Sequence, residues 1–214
     1  MIKIELNPKK LYEACILSSL THAVAVGMYP ELNYEHSWDK INYSMNDSEG
    51  CRATITFHKD YIIAVFQDSS CVHTDVDALD FFEGAPKEII ELAKNEILQY
   101  VLENVDGIVK PVISTAFWGD WEALYSISSF DEIFEKGAHI IETQLLPFDE
   151  AMDEWSDYYE LDEDQIKFIK LLHEQKIKEN KDNITLCNDD IKYLYGDVEE
   201  CLNSLREMNI IVEN

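Results

Sequence analysis

The chain has 214 residues, 46 % of them hydrophobic, with nine Phe, eleven Tyr and four Trp, so a sizeable core is available and global disorder is excluded. Against 17 Lys and Arg stand 43 Asp and Glu, a formal charge of −26. Such a surface repels nucleic acid and anionic lipid and attracts basic partners.

"MIKIEL" alternates and reads as a strand. Asn7 caps the next helix, with Pro8 at its first position, where a missing N–H costs nothing. That helix runs to Gly27 with Pro30 just beyond. It is apolar nearly all round after Leu11 and should be buried. A β-meander follows. "INYSMN" leads into the turn Asp47-Ser48-Glu49-Gly50. "CRATITF" alternates, with Ala53, Ile55 and Phe57 on one face. "YIIAVFQ" is apolar on both faces, which places it centrally with cover on each side.

An acidic loop (68–84) leads to Pro86 and a long amphipathic helix, with Ile90, Ala93, Ile97, Tyr100 and Val101 along one side, ended by Asp106-Gly107. "IVKPVIST" reads as an edge strand because of Pro111. Ser129 and Glu132 form a capping box for a helix closed by Gly137. "AHIIETQLL" reads as a final strand. Residues 1–146 are therefore expected to form an α+β domain with a mostly antiparallel sheet and flanking helices.

Composition then shifts. "PFDEAMDEWSDYYELDED" is rich in carboxylates and holds no basic residue. Phe148, Met152, Trp155 and Tyr159 fall at helical spacing, so 147–161 reads as an acidic linker helix docked by one stripe. In 162–214 the expected order is helix, strand, a helix over "NDDIKYLY", turn, helix, strand. That order resembles a winged-helix domain without its second wing strand. The resemblance covers about a quarter of the chain and implies a small helical C-terminal unit. A winged helix suggests DNA, but its third helix carries Asp197, Glu199, Glu200 and Glu207 against Arg206 alone. DNA affinity comes largely from phosphate neutralisation, so direct nucleic-acid binding is not expected.

The five cysteines (15, 51, 71, 187, 201) are odd in number and form no C-x-x-C. With no apolar leader and no stretch long enough for a bilayer, a cytoplasmic chain without a membrane segment is expected. "CVHTDVDALD" (71–80) fails the EF-hand pattern, since a loop counted from Asp75 has Asp80 sixth and Pro86 twelfth. Cys71 and His73 lack a second ligand pair; His36, His58 or Cys51 would have to approach in space. No metal and no cofactor are expected. Ser18 and His22 share a helix face, yet nothing marks an orienting group or oxyanion hole, so the hydroxyls of this stretch read as bonded to helix carbonyls and His22 as seated in a polar notch. No phosphate-binding glycine loop occurs.

Two aromatic clusters remain. "YPELNYEHSWDKINY" places Tyr34, His36, Trp38 and Tyr43 in a loop, and "FWGDWEALY" places Trp118 and Trp121 around Gly119. Such rings either cover the sheet ends or anchor a partner. With Glu199 and Glu200 they are the candidate partner-binding residues. The expected function is an acidic protein-binding module, in size and charge like an immunity protein, antitoxin or DNA-mimicking inhibitor, that meets a basic protein. The alternatives are a regulator using an acidic winged helix for protein contacts, and an enzyme with His36, His73 and carboxylates in a cleft. Oligomeric state is not legible in the sequence.

Overall fold

The computed structural model describes residues 1–72, 74–179 and 181–213. Strand β1 (Ile2–Ile4) leads into helix α1 (Pro8–Ala25). The Asn7 side chain caps α1 by accepting the Lys10 N–H at 3.0 Å. Residues 15–27 are all buried, as an all-round apolar helix requires. Next come β2 (His36–Asp39), β3 (Asn42–Asn46), β4 (Cys51–Phe57), β5 (Ile62–Asp68) and helix α2 (Lys87–Asn95). Strands β6 (Leu102–Val105), β7 (Ile108–Pro111), β8 (Thr115–Gly119) and β9 (Leu124–Ser126) follow, then helices α3 (Phe130–Glu135), α4 (Glu142–Leu145), α5 (Phe148–Tyr158) and α6 (Glu163–Ile177). Strand β10 (Ile184–Leu186), helix α7 (Val198–Glu207) and strand β11 (Ile210–Val212) end the described chain.

The protein is α+β, with a large antiparallel sheet and flanking helices. It divides into two compact units, each made of two segments: residues 1–11 with 41–142, and 12–40 with 143–214. The expected division lay between 146 and 162. In the structure the chain divides after 142, and 12–40 belongs with the C-terminal segment.

In the first unit six strands lie in the order β1-β9-β8-β5-β4-β3, each neighbouring pair antiparallel. β5 is central and all seven of its residues are buried, so both its faces need apolar side chains. Ile63 and Val65, with Ala116 and Trp118 of β8, pack against Phe82, Ile89, Ala93 and Ile97. The 3-10 turn Ala138–Ile141 lies against β4 and β3. In the second unit, apolar residues of α1, α5, α6 and α7 (Leu20, Met152, Ile169 and Leu205 among them) form one core with Ile184 and Ile210 of the two short strands.

Several expected elements differ. The long helix ends at Asn95, because Glu96 (φ −119°, ψ −88°) leaves the helical region, and a 3-10 turn Ile97–Tyr100 follows. Ile97 and Val101 stay buried, so the apolar period persists although the helical hydrogen bonds do not. Asp106-Gly107 is no helix end. Both residues have positive φ (52° and 85°), the type I′ signature, and they turn the β6–β7 hairpin. "AHIIETQLL" is a 3-10 turn followed by α4, not a strand. The short apolar pairs Ile140-Ile141 and Leu145-Leu146 do not distinguish the two by themselves. The expected helix over "NDDIKYLY" is a three-residue 3-10 turn, Ile191–Tyr193. The Asp190 side chain accepts the Cys187 N–H at 2.8 Å, a local bond that competes with helix formation. β10 and β11 pair in parallel, Ile184 opposite Ile210. "HSWD", read as loop, is β2.

Candidate functional site

The expected partner-binding residues fall into both units. In the first, Tyr43 (0 % exposed) and Trp118 (2 %) are core side chains. Tyr43 stands opposite Ile55 in the β3–β4 ladder, and Trp118 joins the cluster under α2. Their rings therefore pack in the core and are not exposed, contrary to the expected binding surface. Trp121 is half-buried; its Nε1 donates to the His58 carbonyl at 3.0 Å, and its ring stacks on Phe57. In the second unit, Trp38 donates Nε1–H to Ser19 Oγ at 2.7 Å, and its backbone N–H donates to Glu207 at 2.8 Å. His36 is buried, edge-on to Trp155 at 5.2 Å. Glu199 pairs with Arg206 at 2.7 Å, and Glu200 accepts from the Asn33 amide at 3.3 Å. Tyr34 remains 42 % exposed.

The second unit contains a buried polar cluster around α1 and α5. Glu35 is 8 % exposed and accepts hydroxyls from both Tyr158 and Tyr159, the latter at 2.8 Å. Burial, then the bond to Glu35, raises the Tyr158 hydroxyl. The His22 and His36 rings lie 5.3 Å apart. Burial pulls His22 below the ordinary imidazole range. Burial, with the charge of His22 second, pulls His36 well below it. These histidines are therefore held neutral. His22 Nε2 meets the Leu32 carbonyl at 3.0 Å, whereas Ser18 Oγ donates to the Ala14 carbonyl at 3.0 Å, so the two do not form a nucleophile and its base.

In the first unit a second cluster joins Cys51, Asp68 and His139. Strand register puts Cys51 directly opposite Asp68. The 3-10 turn after Gly137 brings His139 over them, with Nε2 3.4 Å from Cys51 Sγ. His139 Nδ1 stands 3.1 Å from the Phe134 carbonyl. Asp68 Oδ1 accepts both the N–H of Ser70 at 2.8 Å and its hydroxyl at 2.6 Å. The Ser70 hydroxyl bond is the main reason the Asp68 carboxyl is lowered. The Cys51 thiol is pushed up to about 12, by burial first and then by Asp47 and Asp68. A thiol held protonated in this way is a poor nucleophile despite its histidine neighbour.

The sequence singled out Cys71 and His73 instead. His73 lies outside the described residues. Cys71 stands at the edge of the cluster, its N–H donating to the Asp68 carbonyl at 2.9 Å. Neither Asp68 nor His139 was foreseen. Only the β4–β5 register and the docking of His139, 88 residues after Cys51, connect them to Cys51.

Among the described residues, no helix is long and apolar enough to cross a membrane. No protein-family model, curated protein or solved structure matches the chain.

Proposed function

We propose that this chain is a non-enzymatic, acidic protein-binding module that captures a basic protein surface, acting as an immunity protein, antitoxin or DNA-mimicking inhibitor acts. The observation that carries this reading is the outer face of α5. Asp149, Glu150, Asp153, Glu154 and Asp157 are all exposed, and Ala151, Met152 and Trp155 are buried beneath them. Among the described residues none of the five stands in an ion pair. From 147 to 166 there are nine Asp and Glu and no Lys or Arg. Asp149, Asp153 and Asp157 follow one line at about 6 Å per step, from a rise of about 1.5 Å per residue. Like charges at i,i+4 spacing are unfavourable, so this row costs the helix stability.

Tyr158 (54 % exposed) and Tyr34 flank this segment as aromatic anchors, in place of the buried rings named from sequence. The second unit holds 23 Asp and Glu against 8 Lys and Arg, a net of −15, which steers a basic partner. On α7 Arg206 is bonded to Glu199 and Asn203, which leaves it little to offer a phosphate.

The test is affinity capture from a lysate of the native host on the immobilised full chain, on D149N/D153N/D157N, and on E88Q/E91Q/E96Q as a charge-matched control. A protein retained by wild type and control but lost by the α5 variant supports the reading. Identical retention by all three overturns it.

A further inference from the structure

We propose that Cys51 Sγ, His139 Nε2 and a carboxylate oxygen of Asp68 form a binding site for one zinc-like divalent transition-metal ion. The three donor atoms lie within 4.8 Å of one another. The Sγ···Nε2 separation is 3.4 Å. A tetrahedral ion with Zn–S of about 2.3 Å and Zn–N of about 2.0–2.1 Å sets that edge at about 3.5 Å. Cys51 and His139 therefore need almost no movement to close on an ion, and Asp68 completes the set from within 4.8 Å.

Three features orient the donors as a metal site requires. His139 Nδ1 stands 3.1 Å from the Phe134 carbonyl; as the protonated nitrogen it donates there and leaves the Nε2 lone pair facing Cys51, the usual outer support of a ligating histidine. Ser70 donates twice to Asp68 Oδ1 and fixes the carboxylate plane. Gly137 seats the turn against the sheet. A Cβ there would stand 3.1 Å from Phe66 Cβ and 3.4 Å from Asp68 Cβ, and its φ of 127° suits only glycine. Cys51 and Asp68 meanwhile face each other as the end pair of the hydrogen-bonded strands β4 and β5.

Ligand chemistry selects the ion. Thiolate, imidazole and one carboxylate suit zinc and its neighbours, not the all-oxygen preference of calcium or magnesium. On binding, the Cys51 thiol gives its proton to solvent and the sulfur bonds the metal. Three protein ligands leave a fourth position for water. The site is independent of the acidic face of α5.

The test uses the full chain, stripped with chelator and titrated with Co²⁺ and then with Zn²⁺ against a fluorescent chelator. Wild type should bind one equivalent and show a thiolate-to-cobalt charge-transfer band that zinc abolishes. C51S should lose the band, and H139Q should weaken zinc at least 100-fold, while C187S, at an exposed thiol of the other unit, should match wild type within two-fold. Should C51S fail to fold, alkylation of wild type read by mass spectrometry substitutes: zinc should slow labelling of Cys51 at least ten-fold and leave Cys187 unchanged. Absence of the charge-transfer band in wild type overturns the proposal. So does zinc affinity unchanged in H139Q, or Cys51 labelling indifferent to zinc; either means that the 3.4 Å contact is only a thiol–imidazole hydrogen bond.

Discussion

Gly27 and Gly196 approach backbone to backbone. A Cβ on Gly196 would stand 2.1 Å from the Gly27 carbonyl oxygen, and that oxygen accepts the Asp197 N–H at 2.8 Å. A Cβ on Gly27 would meet the Tyr195 carbonyl oxygen at 2.3 Å. The end of α1 is thus pinned to the turn that opens α7. G27A forces backbone apart and should cost about 1–3 kcal/mol, the range for overpacking a close contact. G196A adds the strain of φ +68°. Urea unfolding followed by circular dichroism checks both. Midpoints equal to wild type would mean that the contact yields without cost.

Glu35 and Tyr159 make the second measurable contact. The bond is buried and its acceptor is a carboxylate, so Y159F should cost about 1.5–3 kcal/mol. Y158F should cost less, because Tyr158 is more than half exposed. Equal losses in the two variants, measured by the same unfolding experiment, would contradict this ranking.

His22, His36 and His173 all belong to the second unit, and burial lowers each of them. Their folded values lie below the ordinary value of about 6.5, so the unfolded chain takes up protons first as pH falls. Their contribution is intact above about pH 6.5 and is lost progressively below it, through the window down to the folded values. NMR titration of the three imidazoles should give midpoints below that of an unperturbed histidine, with His36 the lowest, and the urea midpoint should fall between pH 7.5 and 5.5. Signals that titrate near pH 6.5 would refute the account.

On α5 function and stability should separate. D153N/D157N removes like charges four apart, so the melting temperature should rise slightly. The same change should slow association with the partner, and wild-type association should itself slow as salt rises, since the Debye length is about 8 Å at 0.15 M. Stopped-flow or surface-based kinetics across salt concentrations reads both effects. A salt-independent association rate would remove the electrostatic argument.

Local signals in the sequence foretold local structure. Asn7-Pro8 opens α1, the Ser129–Glu132 box opens α3, and two-sided apolar character put β5 at the centre of the sheet. These depend on residues within four positions of one another, or on how many faces of an element are apolar. Where two structures satisfy the same short apolar pattern, as at 138–146 and 188–195, the pattern did not choose between them. The assignment of 12–40 to the unit of 143–214, the burial of Tyr43 and Trp118, and the meeting of Cys51, Asp68 and His139 were decided by tertiary structure alone. Each depends on strand register or on which apolar face covers which, and residues far apart in the chain carry no local mark of the partner that packing will bring them.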